Sequence, residues 1–247
     1  MRTSAVIKQI SFSLSGRPGA GYCQSICGQL VYGPMDIKGK TAMITGSSGK
    51  LGSAMALALG RAGCNCICHF YHNEPAAREV AEKIRHCGVK ASLVTADLTH
   101  PEGVERLFER IAQLDTPQIL INSAAMFERV PLEQVNFEKA RKTFALNLTA
   151  PILTSKAFAA RIAAGFGERP GVVAKIINIC DVAGIRPWSQ YSLYCASKAG
   201  LIGATKALAR ELSPAICVNS LAPGLVTWPE NFAQQQKNRQ LGFIPLR

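Results

Sequence analysis

The stretch TAMITGSSGKLGSAMALALGR, residues 41–61, decides the fold. A short apolar run ends at Ile44, a turn built from small residues follows, and from Lys50 the apolar positions recur at helical spacing. A strand, a tight turn and a helix in that order form the opening unit of a parallel sheet. Working outward, further strand-like runs lie at 64–70, 92–96, 118–121, 172–178 and 216–221. Helical segments beginning near Pro75, Pro101, Phe137 and Ser189 separate them. This alternation predicts an α/β fold, a Rossmann-like doubly wound parallel sheet. There is no internal repeat and no linker, so residues 35–247 read as one domain.

Composition narrows the class. The chain has 247 residues, 48% hydrophobic and 18% charged, enough to bury one sizeable core and too apolar for intrinsic disorder. Basic residues outnumber acidic ones 28 to 16, a formal charge of +12. The excess forms no run of like charge, which argues against a nucleic-acid partner. No stretch approaches the roughly 18 to 20 apolar residues needed to span a membrane. The nine cysteines are odd in number and contain no Cys-x-x-Cys pair. They read as reduced thiols of a cytoplasmic protein, and Cys23 and Cys27 lack the second ligand pair a zinc site needs. No metal site is expected.

The character of the chain changes at Met35. Residues 1–34 hold Arg2, Lys8 and Arg17 but no acid, and show no sustained period. They read as an N-terminal extension with three competing origins: an organelle-targeting peptide, a start codon upstream of a true start at Met35, or a disordered tail.

The glycine turn suits a phosphate. Gly46, Gly49 and Gly52 allow a tight approach, and the following helix start offers N–H groups and a positive dipole end to a pyrophosphate. A P-loop is excluded, because Leu51 follows Lys50 where Ser or Thr is required. The second strand runs into HFYHN, residues 69–73, without the carboxylate that would hold the ribose of NAD. Lys50 and His72 supply positive or donating groups instead, which favours NADPH. The alternative for His69 and His72 is a plain structural role at the strand end.

A second constellation lies in IINICDVAGIRPWSQYSLYCASKAGL, residues 176–201. Tyr194 and Lys198 stand four apart in a helical segment, hence on one face. An ammonium beside the phenol would lower its pKa from about 10 and fit it for proton exchange with a carbonyl or imine. Asp181, near that tyrosine in a partly dry pocket, could hold a proton as a neutral acid or, ionised, accept from the N–H of a flat heterocycle.

From Ile37 to Arg247 the chain resembles the short-chain dehydrogenase/reductase family, on ordered motifs: TGSSGKLG from Thr45, Asp97-Leu98 after the third strand, NSAA from Asn122, Asn147 in the long helix, YCASK from Tyr194, and Pro223-Gly224. The resemblance implies a nicotinamide cofactor and a catalytic group of Asn147, Tyr194 and Lys198, with Asn147 holding a proton-relay water, and Asp181 joins that group on its own chemistry. It places the dinucleotide on Thr45, Gly46, Ser47, Ser48, Lys50, Leu51 and Gly52 in the turn, and on Tyr71, His72 and Asn73 after the second strand. Asp97, Leu98, Asn122, Ala124 and Lys198 complete the middle of that site, with Pro223, Gly224 and Val226 at its far end.

The departures from the family pattern are informative. Asp181 stands where the family carries serine, Lys50 where it carries glycine, and NSAA where it carries NNAG. With HFYHN and Phe127, the first two resemble the pteridine reductase branch, which implies Phe127 as a stacking platform and Tyr191 and Trp228 as pocket walls. A packing role for Phe127 is the alternative. The implied activity is NADPH-dependent transfer of hydride to a C=N or C=O bond of a dihydropterin or dihydrofolate-like ring, a small-molecule substrate.

Two other readings stand beside it. One is a 3-oxoacyl carrier-protein reductase. The other is a truncated, catalytically silent dinucleotide-binding protein, because the chain stops at Arg247 where family members continue into a seventh strand. On that reading the sheet lacks its last strand, and the homo-oligomer usual in the family depends on a complete C-terminus.

Overall fold

The computed structural model describes residues 35–167 and 171–226. The N-terminal extension and Trp228 lie outside the described residues. Six strands form one all-parallel sheet: β1 (Thr41–Ile44), β2 (Asn65–Phe70), β3 (Ala91–Thr95), β4 (Ile119–Asn122), β5 (Ala174–Ile179) and β6 (Ile216–Leu221). Their order across the sheet is β3-β2-β1-β4-β5-β6. The chain winds outward from β1 in one direction, then returns to its other side at β4. That reversal opens a crevice at the carboxyl ends of β1 and β4, the place where such sheets bind ligands.

Strand alternation assigns the two faces. Ala42 and Ile44 of β1, Cys66 and Cys68 of β2, and Ile119 and Ile121 of β4 pack with Met55 and Leu59 of α1 (Lys50–Arg61) and Ala81 and Ile84 of α2 (Glu74–Arg85). Met43, Ile67 and Leu120, one residue out of phase, face the opposite core. There they meet Leu107 and Ile111 of α3 (Pro101–Ile111), Phe158 and Ile162 of α5 (Ala150–Phe166), and Leu208 of α6 (Ser192–Glu211). Cys64, Cys66 and Cys68 are buried free thiols within the first core. Burial pushes the Cys68 thiol up to about 11. No helix among the described residues is long and apolar enough to cross a membrane.

The expected strands begin and end within one or two residues of the observed ones. The long helix differs more. It starts as α4 (Phe137–Phe144), loosens into a π-helical turn over Ala145–Thr149 and continues as α5. Pro151 has no N–H to give to the carbonyl of Asn147, and the N–H of Ala150 reaches back five residues to Ala145. The register therefore widens at Asn147, a residue with functional expectations.

Candidate active site

The turn after β1 is pinned from three sides. Gly46 adopts φ 68°, and a methyl group there would lie 2.8 Å from the Cα of Ala124. At Gly52 a methyl would overlap the carbonyl oxygen of Gly46. The hydroxyl of Thr45 accepts from the N–H groups of Ser123 (2.9 Å) and Ala124 (3.0 Å), tying this turn to the end of β4. Ser47 donates its N–H (2.8 Å) and its hydroxyl (2.9 Å) to the carbonyl of His69.

His69 itself is buried. Its Nε2 lies 3.0 Å from the Ala96 carbonyl, which can only accept, so Nε2 carries the proton and Nδ1 accepts from the N–H of Gly46 at 3.2 Å. Burial pulls its pKa down to about 4, so the ring is neutral and structural. For His69 the plain reading at the strand end holds.

A cleft of about 480 Å³ opens above this turn. At one end lie Tyr71, His72 and Asn73; beneath lie Gly46, Ser48, Leu51 and Gly52. Asp97, Leu98 and Ala124 flank its middle, and Asp181, Tyr194, Lys198, Pro223, Gly224 and Val226 close the far end. Helix α1 begins without a side-chain cap and without an acid in its first turn; Lys50 is its first residue. A cation at that end opposes the helix dipole, an arrangement an anionic ligand resolves. The close-approach glycines and this uncapped N-terminus fit a pyrophosphate.

Several expected cofactor residues do not line the cleft. Thr45 and Ser47 are buried and spend their hydroxyls on the loop bonds above. Asn122 is buried under the sheet ends: its amide nitrogen donates to Asn178 at 2.9 Å and its oxygen accepts from Thr154 at 2.8 Å. All three shape the site from below. Asn73 lines the cleft, but its side chain caps α2 by accepting from the N–H of Ala76 at 3.2 Å. Asp97 accepts from the N–H (2.9 Å) and hydroxyl (2.7 Å) of Thr99. Burial works against ionisation of Asp97, but Thr99, Tyr71 and His100 hold its carboxyl below the ordinary range.

The chemistry end departs from one sequence expectation. The hydroxyl of Tyr194 donates to Oδ2 of Asp181 at 2.7 Å, and Oδ1 of Asp181 accepts from the N–H of Ala183 at 2.8 Å. Lys198 Nζ donates to the Ile179 carbonyl at 2.8 Å and stands 5.8 Å from the centre of the Tyr194 ring. The pKa of Tyr194 is raised well above its usual value, first by burial and then by Asp181. The spacing argument predicted a lowered one. The carboxylate of Asp181, which the sequence places near the tyrosine as a proton source or an acceptor for substrate, instead accepts the phenol's own hydrogen bond. Burial also lowers the pKa of Lys198.

Asn147 is fully buried and its amide is already engaged. Its oxygen accepts from the N–H of Met126 at 2.7 Å, and its nitrogen donates to the Met126 carbonyl at 2.8 Å and to the Ser197 hydroxyl at 3.1 Å. The side chain thus fixes the loop that carries Phe127.

Phe127 is 58% exposed and lies beside Tyr194 at the edge of the cleft; neither it nor Tyr191 is among the residues that line the cleft. Its ring stacks on Tyr191 (5.1 Å between centres) and turns an edge to Tyr194 (4.8 Å). Trp188, which the sequence reading did not single out, joins edge-on at 6.4 Å from Phe127 and 5.9 Å from Tyr191. Its signal was present: an aromatic six residues before the tyrosine, in a segment with Pro and Gly and no regular period.

The fold and this site together define a dinucleotide-dependent oxidoreductase. Residues 40–240 match the family model described as short chain dehydrogenase. The chain belongs to that family. It is 36% identical over 200 residues to 3beta-hydroxysteroid dehydrogenase 1 of Eggerthella lenta, covering 79% of this chain and 74% of that one. It is 33% identical over 216 residues to the 3-oxoacyl-[acyl-carrier-protein] reductase FabG of Pseudomonas aeruginosa, covering 86% and 85%. Among solved structures it is similar to a blue fluorescent protein from a metagenomic library in complex with NADPH. That match has a TM-score of 0.69 and 28% identity, over 77% of this chain and 76% of that one.

Proposed function

We propose that the protein uses NADPH to reduce a C=N or C=O bond in a flat heterocycle of the dihydropterin or dihydrofolate kind. The observation that carries this is the 2.7 Å hydrogen bond between Tyr194 and Asp181, at a position where the family carries serine. A bound nicotinamide supplies the hydride. The turn after β1 and the start of α1 would hold its pyrophosphate, with Lys50 and His72 favouring the extra phosphate of NADPH. The NADPH held by the metagenomic relative supports that choice.

The chain's own groups do the rest. Tyr194, kept protonated by burial and by Asp181, gives its proton to the substrate nitrogen or oxygen. Once that hydroxyl turns to the substrate, Oδ2 of Asp181 is free to accept a ring N–H or amino group, a charge-assisted bond that a serine cannot offer. Lys198, anchored on the Ile179 carbonyl, brings a positive charge to the ribose end of the site. Phe127 and its aromatic neighbours supply a flat apolar wall.

The similarity to the 3-oxoacyl reductase favours a second reading, a carbonyl reductase acting on a 3-oxoacyl thioester. Following cofactor absorbance with dihydrobiopterin, dihydrofolate and a 3-oxoacyl thioester, each with NADPH and with NADH, separates the two. Oxidation of NADPH in preference to NADH with a ring substrate is the expected result. Turnover of the thioester alone overturns the ring reading, and a preference for NADH overturns the cofactor assignment.

A further inference from the structure

Two loops meet at the edge of the cleft, and one backbone position holds them together. Tyr191 donates its N–H to the carbonyl of Trp188 at 3.3 Å, closing the four-residue turn Trp188-Ser189-Gln190-Tyr191. Gln190 occupies the third position with φ 69°, and among the described residues it is the one non-glycine with positive φ. A positive φ at that position marks a type II turn, which is usually filled by glycine or asparagine. A glutamine there is strained.

Its groups account for its presence. The Gln190 carbonyl accepts from the N–H of buried Val130 at 2.8 Å, and its side-chain oxygen accepts from Nε of Arg129. Arg129 and Val130 continue the loop from β4 that carries Phe127, whose ring stacks on Tyr191, the residue after Gln190. Met126, just before Phe127, is held by Asn147, and Glu128, just after it, pairs with Lys139 at 3.7 Å.

We infer that Arg129 and Gln190 are positioning residues, which lock the Phe127, Trp188 and Tyr191 wall against Tyr194 and so set the fit of a flat substrate. The backbone alone would take glycine at 190. The glutamine side chain adds what a glycine cannot, an acceptor for Arg129. The consequence is an opposition between stability and substrate fit at a single position. The inference rests on the proposed ring substrate for its kinetic part and on geometry alone for the rest.

The test compares Gln190→Gly, Gln190→Glu, Arg129→Ala and the double variant Gln190→Gly with Arg129→Ala. Gln190→Gly is expected to melt at or above the parent temperature while raising KM for the ring substrate about 3- to 10-fold, as loss of one modest hydrogen bond implies. Its kcat should stay within about twofold, since Tyr194 and Asp181 are untouched. Arg129→Ala should raise KM equally and the double variant no further, because both remove one interaction. Gln190→Glu keeps the acceptor and should keep the parent KM.

A readout that needs no substrate runs beside these. In a Trp228→Phe background, Trp188 is the remaining tryptophan of the two in the chain. Acrylamide quenching of its fluorescence should increase in Gln190→Gly and Arg129→Ala. Unchanged quenching in both, an unchanged KM for a ring substrate that is turned over, or a lower melting temperature for Gln190→Gly overturns the inference. If no ring substrate is reduced, the quenching and melting results still decide it, while the functional reading fails separately.

Discussion

At the scale of single residues, the reversed pKa of Tyr194 is the feature with the largest functional consequence. Burial and then Asp181 raise it, so the phenol stays protonated across the ordinary working range, as the proposed proton donor must. Tyr194→Phe should lower kcat for reduction by about 10²- to 10⁴-fold, the usual worth of a positioned general acid, with little change in NADPH affinity by fluorescence titration. The pH profile follows by sign. Reduction needs the protonated phenol, so the alkaline limb of kcat reports its loss. Removing the neighbouring anion in Asp181→Ser lowers the phenol's pKa, and the limb should move to lower pH. Residue identity was legible here, since Asp181, Tyr194 and Lys198 stand together in the cleft. The direction of the proton was not: the sequence sets Asp181 near the phenol, but which of the two groups donates depends on contacts that spacing along the chain does not give.

Among the elements, the glycine turn and the strand end beside it act as one unit. His69 is locked as a neutral ring between the N–H of Gly46 and the carbonyl of Ala96. Its folded pKa, about 4, lies below the ordinary value of 6.5. The unfolded chain therefore binds a proton first as pH falls, so this stabilisation is complete above about 6.5 and is lost down to about 4. The loss is on the order of 3 kcal/mol. Chemical denaturation between pH 7 and pH 4 should show it in the parent and show a flatter dependence in His69→Gln, whose amide does not titrate. The strand, turn and helix were legible because apolar period and glycine spacing are local signals. The loop bonds of Thr45 and the internal network of Asn122 were not, because each depends on a partner far away in the chain, and the π-helical turn at Asn147 was missed although its cause, Pro151, stands four residues on.

For the whole molecule, the strand order turns scattered motifs into one site. The reversal between β1 and β4 gathers residues from 46 to 226 around a single cleft. Of the positive charge excess, Lys198 lines that cleft and Lys50 opens the helix beside it. The sequence read this architecture well because parallel units repeat the same strand-turn-helix pattern. It missed Trp188 and the strained Gln190, because they form a wall between two irregular loops and carry no period. On the proposed function, what sets this chain apart from a general carbonyl reductase is the carboxylate of Asp181 in place of a serine. The most direct test of that claim is the ratio of kcat/KM for dihydrobiopterin to that for a 3-oxoacyl thioester, measured with NADPH in the parent and in Asp181→Ser. Loss of a charge-assisted bond to the ring should lower the ratio by at least about 10-fold. An unchanged or higher ratio in Asp181→Ser would contradict the account.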